Sequence, residues 1–210
     1  MLLVKDTGTR FGAVSVALHW YIAASILFLL LTGETMRYLG AHGPLRPFRE
    51  SLALLHMSVA ITAVPFILFR IYWRVSSGKP KTHSQHWTLA LTADVVWRLL
   101  LIAMVCQIIT GPSRQLLRPS DLKWFGIRLI PVPPNVTGDY LDFFRRAHIY
   151  GAATIAALLV LHIGGALKHV VINRDSVLQR ILWPFAPKAE IKTDSGAAKE
   201  TIPVLAAAGE

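Results

Sequence analysis

The sequence predicts an all-α membrane protein, a four-helix transmembrane bundle, on three observations. The 210 residues are 53% hydrophobic and only 16% charged, against roughly 25% charged in soluble domains, and mean hydropathy is +0.47. The apolar residues are not pooled in one anchor; they fall into four spans of about 20 residues, each enough to cross a hydrocarbon layer of about 30 Å. Aromatics and arginines gather at a span end in FRIYWR (69–74), where the headgroups would lie.

The first span covers 14–33 and stops before Glu34. Lys5 and Arg10 precede it, but the stretch is too long for a signal-peptide core and no small-x-small cleavage site follows, so it reads as a retained helix. AHGPLRPFRE (41–50) is a connection, marked by two prolines and a glycine. The second span, 52–73, leads into the plain loop SSGKPKTHSQ (76–85). The third, 89–111, is interrupted by Asp94, Arg98 and Gln107. The longest connection, 112–144, carries Pro119, Pro131, Pro133 and Pro134 before a fourth span at 146–168. Residues 1–186 thus form one four-span domain, and 187–210, charged and rich in small residues, read as a disordered tail.

A net charge of +10 would suggest nucleic acid in a soluble protein. Here the basic residues lie in loops and tails, where Lys and Arg meet lipid headgroups, so membrane lipid is the expected partner and nucleic acid is not. Cys106 is the single cysteine, which excludes a disulfide framework and a thiolate cluster for zinc or iron–sulfur. The N-terminus, second loop and C-terminal tail carry the basic excess, which puts both termini on the cytoplasmic side. Arg114, Arg118, Lys123 and Arg128 in the third loop narrow that bias.

Four of the eight histidines lie inside the spans: His19, His56, His148 and His162. An imidazole in hydrocarbon is costly without a partner and marks a functional site. His19 enters early in the first span, near the N-terminal side; His56 enters early in the second, from the opposite side. His148 starts the fourth span level with His56, and His162 returns to the level of His19. The fourteen residues between them rise about 21 Å in nearly four whole turns, so both share one helix face. The expected pairs are His19 with His162 and His56 with His148.

Zinc would ask for further thiolate or carboxylate ligands. Haem asks for two axial nitrogens and an apolar slot between helices, and two pairs predict two b haems. Gly33, Gly151, Gly164 and Gly165 would allow close approach. Arg70, Arg74, Arg145 and Arg146, near span ends, would serve the propionates.

A single buried histidine is more often a packing residue than a ligand; four at matched depths are not so easily set aside. His169, seven residues past His162, is a rival ligand, though its place at the helix end suits an interfacial or quinone-contacting role. Asp94 and Arg98, spaced i, i+4, form an ion pair or a proton path. His42, His83 and His86 fall in loops, Asn135 opens a low-information glycosylation triplet, and Trp20, Tyr21, Tyr72 and Trp73 read as interfacial anchors.

The chain resembles the bacterial cytochrome b561 family of small di-haem inner-membrane proteins. TRFGAVSVALHW (9–20) is similar to the family's opening signature, and FRIYWR to its LRxxWR motif. The most specific part is HIYGAATIAALLVLH (148–162) with the pattern H-x5-D-x2-L-x-R through His169, Asp175, Leu178 and Arg180. The resemblance covers about residues 9–184. It implies two non-covalent b haems held by His19, His56, His148 and His162, a cytoplasmic N-terminus and electron exchange with quinone. Some members resemble superoxide-to-ubiquinone oxidoreductases, and a basic third loop would suit an anionic donor. The third span departs from the pattern, with Asp94 and Arg98 where members often carry His and Tyr. Two rival readings stand beside this one: a cytochrome b subunit serving a peripheral redox partner protein in a larger dehydrogenase or hydrogenase, and a haem-free transporter moving protons through its histidines.

Overall fold

Four long helices carry the chain: α1 (Ala13–Leu39), α2 (Arg46–Ser77), α3 (Trp87–Leu116) and α4 (Gly138–Val171). A two-stranded hairpin, β1 (Leu122–Trp124) with β2 (Ile127–Ile130), lies between α3 and α4, and a single turn, α5 (Gln179–Leu182), follows α4. The computed structural model describes residues 4–8, 10–40, 43–77, 87–117, 120–131, 138–173 and 178–182. The expected tail, the loop histidines His42, His83 and His86, Asn135 and Asp175 lie outside them.

Each long helix contains an 18-residue window of mean hydropathy 1.8 to 2.2, yet only 11 to 28% of each window is buried inside the protein. Apolar surface on that scale would not stay exposed to water; its solvent is lipid. The chain is a multi-pass membrane protein built as a four-helix bundle.

The helices outrun the apolar spans read from sequence. α2 begins at Arg46 and takes in Pro47, α3 continues through Pro112 to Leu116, and α4 begins at Gly138. Hydropathy marks only the lipid-buried part of a helix, while the backbone ladder continues into the headgroup layer. A proline in the first turn removes an N–H that has no intrahelical acceptor.

Neighbours in sequence pack as antiparallel hairpins, α1 on α2 and α3 on α4, while α2 touches α3 only sparsely. The two halves meet through Ile22 of α1, Ala63 and Ile67 of α2, Met104 of α3 and Ile155 of α4. Ile155 lies seven residues from both His148 and His162, so this apolar layer separates the two histidine levels. Val96, Leu100 and Leu158 extend it between α3 and α4. Buried hydroxyls return their protons to the preceding turn, Ser25 to Tyr21 O (2.9 Å) and Ser58 to Leu54 O (2.7 Å). Among the described residues no buried side-chain polar atom lacks a partner.

The β-hairpin was not expected. Its two-residue turn needs positive φ at both central positions, and Phe125 (44°) and Gly126 (90°) supply it. The turn is docked on α2: Ser58 Oγ accepts from Phe125 N–H at 2.8 Å, and Thr62 Oγ1 accepts from Trp124 Nε1–H at 3.0 Å.

Candidate haem-ligand pairs

His162 on α4 and His19 on α1 face each other with ring centroids 6.2 Å apart and planes at 53°. His56 on α2 and His148 on α4 lie within electrostatic reach of one another at the far end of α4. The structure therefore brings the four histidines together in the two pairs that depth counting predicts, each pair bridging two helices. α4 contributes to both.

The first pair lies at the N-terminal end of the bundle. Arg70 is within electrostatic reach of both its rings and donates Nη1–H to Ser15 O at 3.0 Å. Trp73 Nε1–H donates to Ser15 Oγ (3.1 Å), which in turn donates to Asp6 Oδ2 (2.7 Å). Arg74 lies over the rings of Trp97 (4.9 Å) and Phe11 (5.8 Å). Trp20 Nε1–H holds α5 to α1 through Ile181 O (3.0 Å).

The second pair is framed by the opposite ends of α1 and α3. Thr32 Oγ1 lies 2.8 Å from His56 Nδ1, and Thr110 Oγ1 lies 3.3 Å from His148 Nδ1. The neighbouring glycines lie against the same rings: a Cβ at Gly33 would stand 3.6 Å from His56 Cε1, and one at Gly111 would stand 3.2 Å from His148 Cε1. Gln107 donates Nε2–H to His148 O at 3.0 Å, in space that Gly151 leaves open. Arg114 is within electrostatic reach of both His56 and His148.

Other residues singled out in the sequence fall elsewhere. Arg145 and Arg146 both bind Asp142 (2.8 and 2.7 Å) and are half-exposed or more. No protein atom of another residue lies within 4 Å of a Cβ added at Gly164 or Gly165, so no neighbouring described helix packs against these two positions. Asp94 and Arg98 form the expected ion pair at 2.6 Å. His169 Nδ1 lies 3.2 Å from the Asn173 amide nitrogen, in the last turn of α4.

Sequence reasoning missed Thr32, Thr110, Gly111 and Arg114 as neighbours of the second pair. A signal for three of them was present: the dipeptide Thr-Gly occurs at the same end of α1 (Thr32-Gly33) and of α3 (Thr110-Gly111).

The model of the prokaryotic cytochrome b561 family matches residues 10–184. The chain belongs to the prokaryotic cytochrome b561 family. It is also similar to cytochrome b561 homolog 2 of Escherichia coli (strain K12), 27% identical over 180 residues that span 84% of this chain and 93% of that protein. Membership makes the chain a membrane cytochrome that binds haem b and transfers electrons.

The residues present suit such a group. His19 and His162 face each other across a helix interface with ring centroids 6.2 Å apart, and each would offer a ring nitrogen to a haem iron held between them. Zinc fits less well, because among the described residues no three or more His, Cys, Asp or Glu gather in one place. The sparse contact between α2 and α3 leaves the two helical hairpins joined by their shared apolar layer rather than by continuous packing, as a slot for a planar apolar ligand requires.

Proposed function

We propose that this cytochrome holds two b haems, one between His19 and His162 and one between His56 and His148, and exchanges electrons with the quinone pool of a bacterial inner membrane, both termini lying in the cytoplasm. The observation that carries this reading is that α4 supplies one imidazole to each of two facing pairs, at levels separated by the Ile22–Ala63–Ile67–Met104–Ile155 layer. When bound, haem supplies a one-electron couple. The chain's own contribution is to offer the imidazole nitrogens, exclude water and set the charge around each pair. Arg70 and Arg74 at the first pair and Arg114 at the second are the cations best placed for propionates. Arg145 is less suited, since its guanidinium is already engaged with Asp142.

A lipid-soluble acceptor fits a chain whose described residues are almost wholly membrane helix. At the end that holds His56 and His148, Arg and Lys outnumber Asp and Glu among the described residues of 34–50 and 114–146. A positive surface raises the local concentration of small anions, which supports superoxide as donor: two superoxide anions give up one electron each, and one ubiquinone takes both with two protons to become ubiquinol.

The test is a reduced-minus-oxidised spectrum of the purified protein with haem quantified per chain. Two low-spin b haems are expected. His19→Ala and His162→Ala should remove the same one, and His56→Ala and His148→Ala the other. A single haem, or one indifferent to these substitutions, rejects the assignment. Oxidation of the reduced protein by a short-chain ubiquinone tests the acceptor, and failure of an enzymatic superoxide source to reduce it rejects that donor.

A further inference from the structure

The two Thr-Gly dipeptides occupy equivalent places around the second histidine pair, and their hydrogen-bond geometry fixes more than position. A threonine hydroxyl has one proton. Thr32 Oγ1 lies 2.8 Å from Phe28 O, 3.2 Å from Leu29 O and 2.8 Å from His56 Nδ1. A carbonyl can only accept, and two oxygens that close without a proton between them repel. The hydroxyl proton is therefore directed to the preceding turn, and the contact with His56 is made by Nδ1–H donating to the hydroxyl oxygen. Thr110 repeats the arrangement: its Oγ1 lies 2.9 Å from Cys106 O and 3.1 Å from Gln107 Oε1, both acceptors, and 3.3 Å from His148 Nδ1. The Gln107 amide is oriented by its own Nε2–H bond to His148 O, so its oxygen is the atom turned to Thr110.

We infer that Thr32 and Thr110 are positioning residues that hold His56 and His148 as Nδ1–H tautomers, reserving both Nε2 lone pairs for iron and making the rings stronger electron donors, so that this site has a lower reduction potential than it would have without them. The inference rests on the proposed ligation by His56 and His148. A ring that donates its distal N–H to an oxygen becomes more basic at the other nitrogen, and a more basic axial ligand favours the oxidised iron. Gly33 and Gly111 complete the cradle: each lies next to its threonine and leaves room for the edge of the same imidazole. The His19–His162 pair has no such hydroxyl among the hydrogen bonds of the described residues, so its potential serves as the internal control.

The experiment is a spectroscopic redox titration of the purified haem-loaded protein and of Thr32→Val, Thr110→Val and the two Thr→Ser variants. Valine keeps the branched shape and removes the oxygen; serine keeps the oxygen. Each valine variant should shift the same one of the two couples upward, with a several-fold rise in its reduced-to-oxidised ratio at fixed ambient potential. A tenfold rise would correspond to about 59 mV for a one-electron couple. The other couple should stay in place, and the serine variants should titrate like the parent. Valine variants with full haem and unmoved potentials would overturn the inference, as would serine variants that shift like valine. If one valine variant fails to retain haem, the other threonine and both serine variants still decide the matter. His56→Ala separates the two readings: loss of one haem there with unmoved valine variants removes only the role of the threonines, whereas full haem in His56→Ala removes the ligation and this inference with it.

Discussion

A Cβ on residue 111 would stand 3.2 Å from Cε1 and 3.5 Å from Nδ1 of His148. Glycine at this point of α3 is thus what lets the imidazole lie against the helix. Alanine asks the ring to give by a few tenths of an ångström, and valine adds two further methyl groups toward it. Overpacking of this kind costs about 1–3 kcal/mol, and here the strain falls on one ring. On the proposed two-haem reading, Gly111→Val should lose the haem assigned to His56 and His148 while keeping the parent's helical circular dichroism, and Gly111→Ala should weaken its retention. Retention of full haem by Gly111→Val would show that the room left beside His148 does not depend on this glycine.

The β-hairpin gives a second expectation. Ser58 is fully buried and accepts the Phe125 N–H in the turn that docks on α2. Ser58→Ala leaves that donor without its partner, at a cost of about 1–3 kcal/mol. Hydrogen exchange at the Phe125 amide should quicken, and trypsin should cut faster after Lys123 or Arg128, with helix content unchanged. Phe125→Gly should act in the opposite direction, since φ of 44° is strained for phenylalanine and free for glycine.

Spans, pairs and family were legible because each writes itself into one-dimensional pattern: hydropathy into length, helical rise into His spacing, and the family into motifs at both ends. The hairpin was not, because LKWFGIRLI alternates weakly and sits in a proline-rich connection where a turn with Phe at positive φ has no sequence signature. The Thr-Gly cradles were not read either. Their meaning lies in which histidine each faces across a helix interface, and that requires the relative rotation of α1 against α2 and of α3 against α4. Arg145 was read from height alone, and the structure has Asp142 one turn before it on the same helix.

The N-terminal segment folds over the start of α1. Gly12 N–H donates to Asp6 Oδ1 at 2.7 Å, and a Cβ at Gly12 would run into Val4 O and the Lys5 carbonyl carbon. No rotamer relieves a clash with backbone. Gly12→Ala should therefore displace residues 4–8 and release Asp6 from Ser15, a loss of charge-assisted bonds worth about 1.5–3 kcal/mol each. The expected sign is faster hydrogen exchange at the amides of residue 12 and Val14, which Asp6 and Val4 O hold, without loss of haem; retained slow exchange there would show that the segment is not anchored through Asp6.

Arg70 tests the electrostatics of the first pair. It donates to Ser15 O and lies within electrostatic reach of both His19 and His162. A cation held near a redox centre opposes the additional positive charge of the oxidised state, so it raises the potential; in a low-dielectric site that interaction is screened far less than in water. On the proposed two-haem reading, Arg70→Met, which keeps most of the side-chain volume, should lower one couple and leave the other unmoved, and should loosen haem retention at the first pair if the guanidinium also binds a propionate. Arg70→Lys should recover most of the potential, because the charge returns, but less of the retention, because a point charge cannot reproduce the two-pronged contact. The couple that moves should be the one lost in His19→Ala and not the one lost in His56→Ala. A shift in the His56 couple instead would mean that charge, and not the pairing of helices, has been misassigned to the two ends of α4.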